Sequence, residues 1–235
     1  MKMIPPSSSL NRGLVVLDHT PHIYTSKVGM LYSSASHGSS EDMLTSCCGS
    51  PGYVNFMRDM GEVCNVRDLK LYSGGLDRTG CRDGKFALRW RSCDRESYGS
   101  MVLFHAPSLM PDDADLVQRM SHVGNDFVHV VYSDVGGGNH TNLGGDFGTV
   151  VVNVACLKDR SLKLLELSIK LNGDVSALPY TSCGKFVCHE SDAANYARFK
   201  AIVADVMCKV WRREVVGDGN WMERLDIIRR LKGVK

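Results

Sequence analysis

The sequence predicts an α/β protein of two subdomains, each a mixed β-sheet flanked by helices. Three observations carry that expectation. Short β-branched runs, such as Phe127–Tyr132 and the valine-rich segment 148–157, read as strands. Other stretches carry apolar residues at helical spacing, as Tyr53, Phe56, Met57 and Met60 do. The pattern also breaks near residue 110, where Pro111 and the acidic run Asp112, Asp113 and Asp115 open a new helix. With 235 residues the chain can bury a sizeable core without disulfides or metals.

Taken in order, residues 1–16 read as a flexible lead-in, 17–110 as a first subdomain and 111–235 as a second. In the first, Lys27–Ser33 reads as a short strand and 33–52, rich in Ser and Gly, as a loop. Tyr53–Asn65 follows as an amphipathic helix, entered through Ser50-Pro51-Gly52. Leu69–Tyr72 is expected as a strand closed by Ser73-Gly74-Gly75. Lys85–Arg91 carries Phe86, Leu88 and Trp90 on one strand face, and 98–109, ending near Pro107, favours a strand.

In the second, Asp112–His122 reads as a helix stopped by Gly124, with Phe127–Tyr132 as the strand behind it. Segments 148–157 and 162–171 give two more strands. A long helix runs from Ser191 to about Arg213, with Tyr196, Phe199, Val203, Val206 and Val210 at helical spacing. Gly217-Asp218-Gly219 breaks it, and Trp221–Lys232 forms a last helix with a basic end.

Composition excludes several classes. A net charge of +2 gives no global field toward nucleic acid, so any basic contact surface is local. Nine cysteines, an odd number without a C-x-x-C, argue against a disulfide framework or a zinc site and for a reducing compartment. Cys183, Cys188 and His189 lie close in sequence but match no zinc spacing, so their expected role is structural. No run approaches the length of a membrane span. Gly136-Gly137-Gly138 lacks the Lys-Ser/Thr ending of a phosphate-gripping loop and reads as a turn or lid.

One segment concentrates chemistry. His122-x-Gly124-Asn125-Asp126 places an imidazole, a carboxamide and a carboxylate within five residues, directly before a stiff strand. Read by itself, Gly-Asn-Asp after a helix is also a common cap and turn. His122, one turn before Asn125, equally suits a helix-terminal histidine that satisfies carbonyls.

In order along the chain, this motif and its neighbours resemble the Rap-type GTPase-activating domains, and most closely those of the tuberin type. The resemblance rests on Leu71–Asp77, on Gly84-Lys85-Phe86 with Trp90, and on Phe104-His105-Ala106 with Leu109-Met110-Pro111. It continues through Gly124–Asp134, Gly145-Asp146-Phe147 and the basic end Arg229-Arg230-Leu231-Lys232. It spans roughly 17–232. It implies a pseudo-dimerisation subdomain packed on a catalytic one, and a GTPase activator rather than an enzyme with its own substrate. Its partner is a Ras-family small GTPase, Rheb-like or alternatively Rap or Ral, carrying GTP and Mg²⁺. No cofactor, metal site or nucleic acid is implied.

The resemblance casts Asn125 as an inserted asparagine thumb, with His122 as its support. Arg119, Asp126, Arg229, Arg230 and Lys232 are expected at the GTPase-binding surface, although Asp126 better suits holding the turn by backbone hydrogen bonds and the last three also suit a solvated helix end favourable to the dipole. A departure stands beside this: family members usually carry basic residues just before the histidine, where this chain has Met120 and Ser121. The alternative is therefore a weak or inactive interaction module that keeps the fold. Also implied are a cytoplasmic location, recruitment to an endomembrane or lysosomal surface through partners, and a hamartin-like subunit contacted through regions outside this chain.

Overall fold

The first strand lies at the centre of the sheet. In the computed structural model β1 (His22–Ser33) pairs in parallel with β4 (Tyr98–His105) on one side and with β5 (Val128–Ser133) on the other. The structure describes residues 7–19, 22–37, 39–93, 98–134, 148–157, 160–171, 184–211 and 220–233. Antiparallel strands β3 (Phe86–Arg91) and β2 (Glu62–Asn65) extend the β4 side. On the β5 side follow β6 (Val150–Cys156), parallel, and then β7 (Leu164–Leu171) and β8 (Phe186–His189), antiparallel. The expected two sheets are thus one eight-stranded sheet, ordered β2-β3-β4-β1-β5-β6-β7-β8. Strands from before residue 110 fill one half and those from after it the other, joined at the β1–β5 pair.

Alternation along the strands sends two sets of side chains to opposite faces. Val28, Met30, Val130, Tyr132, Val152 and Leu167 meet α3 (Pro51–Met60) and α5 (Glu190–Trp211). Leu31, Val131 and Val151 meet α2 (Ser40–Thr45) and α4 (Leu116–Val123) on the other side. α1 (Ser8–His19) and α6 (Asn220–Gly233) pack on each other, and α6 also on β1.

Several expected elements change. The expected flexible lead-in is largely helical, α1 starting inside it at Ser8 and running past its end to His19. The strand expected from Lys27 begins at His22, because Tyr24 and Ser26 belong to it although both are polar. Their hydroxyls donate to Asp205 Oδ2 of α5 at 2.9 and 2.6 Å, and Lys209 closes on the same oxygen at 2.9 Å. Burial, and then the Asp205 charge, push the Tyr24 phenol far above its ordinary pKa. The helix expected to Asn65 stops at Met60, and Glu62–Asn65 becomes β2. At Gly61 the chain passes so close to β3 that a Cβ would stand 2.5 Å from the Arg89 carbonyl oxygen. Leu69–Tyr72 is not a strand; Leu69 enters a small cluster with Val66, Leu76, Ala87 and Leu103.

The long helix also turns its face. Tyr196, Phe199, Val206 and Val210 are exposed, and Ala193, Ala194, Ala197, Ala201, Ala204 and Cys208 are buried. Small side chains bring the helix backbone close to the sheet, where the larger apolar residues would hold it away. The glycine loop 136–138, together with Gly144, Gly145 and Cys183, lies outside the described residues. The eight described cysteines are thiols. No helix among the described residues is long and apolar enough to cross a membrane.

Candidate functional site

The site sits where α4 hands the chain to β5. Asp115 caps α4, its carboxylate accepting from the Gln118 N–H at 2.7 Å, so the helix begins at Leu116, four residues later than expected. At the other end the Gly124 N–H donates to the Met120 carbonyl at 2.8 Å and the Asn125 N–H to that of His122 at 3.3 Å. Glycine is required at 124, since a Cβ there would lie 2.6 Å from the Met120 oxygen. This turn puts the Asn125 side chain in solvent. Its Nδ2 donates to the Ser121 carbonyl at 2.6 Å, and Oδ1 has no partner among the described residues.

The next residue goes the other way. Asp126 is fully buried, and its Oδ2 lies 2.8 Å from His105 Nδ1 on β4. Lys27 Nζ is 3.9 Å from Oδ1, and neither Oδ1 nor His105 Nε2 has a hydrogen-bond partner among the described residues. The Asp126 backbone completes the anchor: its N–H donates to the Val123 carbonyl at 3.1 Å and its carbonyl accepts from Gly148 at 3.1 Å. The exposed carboxamide therefore follows a rigid helix and precedes a buried ion-paired residue.

Beneath the turn, His129 Nε2 donates to the Val123 carbonyl at 2.7 Å. Gly29 makes room for this ring, because a Cβ there would lie 2.3 Å from His129 Cδ2. Burial is the main cause that pulls the His129 pKa below its ordinary value, against the Val123 hydrogen bond and the Asp126 charge. The native state therefore keeps His129 neutral while the unfolded chain takes up a proton below about pH 6.5. Its contribution to stability is full above that pH. It falls by up to about 1.4 kcal/mol per pH unit on acidification, until the lowered native pKa is reached. Urea denaturation of the wild type and of His129→Gln at pH 7.5, 6.5 and 5.5 checks this, and the slope is expected to shrink in the variant.

His122 stands half-buried on the flank of α4 that faces Asp83. Its Nε2 is 2.8 Å from Asp83 Oδ1, and its ring lies 5.3 Å from that of His105. Asp83 also accepts from Gln118 Nε2 at 3.3 Å and, through Oδ2, from the Asp77 N–H at 2.8 Å. Burial opposes ionisation of Asp83, but the Asp77 N–H, His122 and Gln118 outweigh it and hold its carboxyl below the usual range. These residues border an open cleft of about 710 Å³ that also touches Gly75, Arg82 and Pro111.

The structure thus brings Asn125 and His122 together and adds His105 and Asp83, which the sequence reading missed. His105 appears there only within a family-like Phe-His-Ala string, and Asp83 does not appear at all. Two expected contact residues are corrected. Arg119 is 1% exposed, its guanidinium spent on backbone carbonyls, and Asp126 is 0% exposed, so neither meets a partner at the surface in this fold. Arg229 and Arg230 are exposed on α6, where Arg229 pairs with Asp226 at 3.2 Å. Neither hydrogen-bonds to α4 among the described residues. Lys232 is placed in α6, and its side chain lies outside the described residues. No group of His, Cys, Asp and Glu suited to a metal ion occurs among the described residues.

A family model described as Rap/ran-GAP matches residues 43–230. The chain belongs to the Rap/ran-GAP family. It is 24% identical over 249 residues to the tuberous sclerosis 2 protein homolog of Schizosaccharomyces pombe, covering 95% of this chain and 17% of that protein. To the human signal-induced proliferation-associated protein 1 it is 28% identical over 133 residues, 55% of this chain and 12% of that one. A human Ral GTPase-activating protein subunit, alpha-1, is 26% identical over 69% of this chain and 8% of its own length. The chain spans less than a fifth of each of these relatives. The solved structure of the TSC2 GAP domain superposes with a TM-score of 0.66 and 22% identity, covering 81% of this chain and all of that one, which establishes the shared fold.

Proposed function

We propose that this Rap/ran-GAP chain accelerates GTP hydrolysis by a Ras-family small GTPase, with Rheb-like proteins favoured over Rap and Ral, by inserting Asn125 beside the bound GTP and Mg²⁺. Small GTPases hydrolyse GTP slowly because the attacking water is poorly held and charge develops on the phosphoryl oxygens. An arginine finger is worth about 10³–10⁵ in rate. Arg119 cannot serve as one, being buried. A carboxamide both donates and accepts, so it can orient the water, although it cannot neutralise charge.

The observation that carries this reading is the placement of Asn125: an exposed carboxamide with an unpartnered Oδ1, on a turn fixed by α4 on one side and by buried Asp126 on the other. The Ser121 bond is a single exposed hydrogen bond, which a GTPase can displace. His122 supports the turn from the helix. Arg229, Arg230 and Lys232 supply a basic helix end for the partner, and in a longer protein a hamartin-like subunit would be met outside this region. The reading also places the chain in the cytoplasm, brought to endomembrane surfaces by partners.

A second reading keeps the fold as a non-catalytic interaction module. It is favoured by Met120 and Ser121, which leave α4 without exposed basic residues before His122. Single-turnover hydrolysis by GTP-loaded Rheb, Rap and Ral, with and without the chain, separates the two. Acceleration of one of them is expected, and acceleration of none sinks the catalytic reading.

A further inference from the structure

Asp83 lies outside the family-like motif, yet its side chain holds a half-buried flank of α4. It accepts from two consecutive turns of that helix, at Gln118 and His122, through a single oxygen, Oδ1. Its other oxygen holds the 77–84 loop through the Asp77 N–H. His122 in turn accepts at its backbone carbonyl the N–H of Asn125, at 3.3 Å. A continuous path of hydrogen bonds therefore runs from Asp83, through the His122 ring and carbonyl, to the backbone of Asn125.

We propose that Asp83 is a positioning residue for the asparagine thumb, acting through His122; this rests on the reading of Asn125 given above. A carboxylate suits the task because it accepts on both oxygens. A carboxamide at 83 could accept only at one end and would turn N–H against either Asp77 or the α4 side chains. Bonded to Asp83 through Nε2, the His122 ring is fixed in orientation, with Nδ1 left as the nitrogen available to a partner. The lowered pKa of the Asp83 carboxyl agrees with this arrangement, since it keeps the acceptor ionised across the neutral range.

The test is a double-mutant cycle with the GTPase that the wild-type chain accelerates among Rheb, Rap and Ral. Asp83→Ala is expected to lower the saturating single-turnover rate by about 10- to 100-fold, the scale of a misplaced reacting group. Binding of the same GTPase should change by less than about twofold, a loss in rate constant rather than in affinity. In the His122→Ala background the same substitution should have no further effect on the rate. Additive losses would overturn the proposal, since they are what a loop-holding role alone produces.

Should Asp83→Ala fold poorly, Asp83→Asn keeps the volume and removes one acceptor, and the same non-additivity is expected. NMR of the free chain decides the point without any GTPase. A slowly exchanging His122 Nε2–H signal should be present in wild type and lost in either variant, together with shifts of the Gly124 and Asn125 amides. Unmoved amides overturn the path from Asp83 to the turn. If instead the Asp83 variants act as expected here while Asn125→Ala leaves the rate intact, the path stands and only the thumb reading fails.

Discussion

Replacing Asn125 by alanine is expected to lower the saturating rate of GTP hydrolysis by about 10²–10³-fold and to leave the fold unchanged. The rate effect follows from what the group is asked to do. A fixed donor aimed at the reacting centre is worth about 3–4 kcal/mol of barrier when removed, and Asn125 is the exposed polar side chain that the turn presents. The stability effect is small for an equally direct reason. The side chain is exposed, and its one hydrogen bond, to the Ser121 carbonyl, can be replaced by water. Such a loss stays within about 0.5 kcal/mol. Asn125→Asp is expected to lose as much rate as alanine, because it removes the donor and sets a negative charge against phosphate. Phosphate release at saturating chain and thermal denaturation together check both halves. An alanine variant with full acceleration removes Asn125 from the site, and one that melts well below wild type makes it a cap residue instead.

Much of the site was legible in the sequence, and the parts that were not share a physical cause. The helix before Asn125, the strand after it and the exposed carboxamide between them all follow from local pattern. Arg119 and Asp126 are placed at the partner surface by the family resemblance, and nothing local opposes that, since charge is normally solvated. Local pattern does not show that two separate segments, at Leu44 and at 107–114, would turn carbonyls toward one guanidinium, nor that His105 would arrive from β4 to meet Asp126. Tyr24 and Ser26 hid the first half of β1 in the same way, their partner Asp205 lying some 180 residues away. The exposed Phe199 and Val206 show the converse: helical spacing marks two candidate faces on α5, and only contact with the sheet selects the alanine face. Long-range polar pairing leaves no periodic trace, so it is where sequence reasoning stops.

Replacing Arg119 by alanine costs about 3–5 kcal/mol of stability, comparable to breaking a buried charge interaction and a large share of the 5–15 kcal/mol typical of a folded domain. The guanidinium donates to the carbonyls of Ala114 at 3.1 Å, Leu44 at 3.3 Å, Pro107 at 2.9 Å and Pro111 at 2.7 Å, and approaches Cys47 Sγ at 3.5 Å. It forms no ion pair among the described residues, so its charge is met by backbone dipoles. Truncation leaves those acceptors facing a cavity, and each orphaned buried carbonyl costs about 1–3 kcal/mol before water or relaxation recovers part of it. Arg119→Lys recovers only a fraction, because one ammonium cannot reach the acceptors that the planar fork spans. The side chain ties α4 to the end of α2 and to the 107–114 segment, so the loss should loosen the frame that carries Asn125. Urea denaturation measures the cost, and the saturating rate per folded molecule, measured at a temperature where the variant is still native, measures the consequence. If Arg119→Ala unfolds at the wild-type midpoint but binds the GTPase more weakly, the buried assignment is wrong and Arg119 belongs at the surface. The expected result is the reverse, in which Arg119 governs whether the frame forms and Asn125 governs what the frame does.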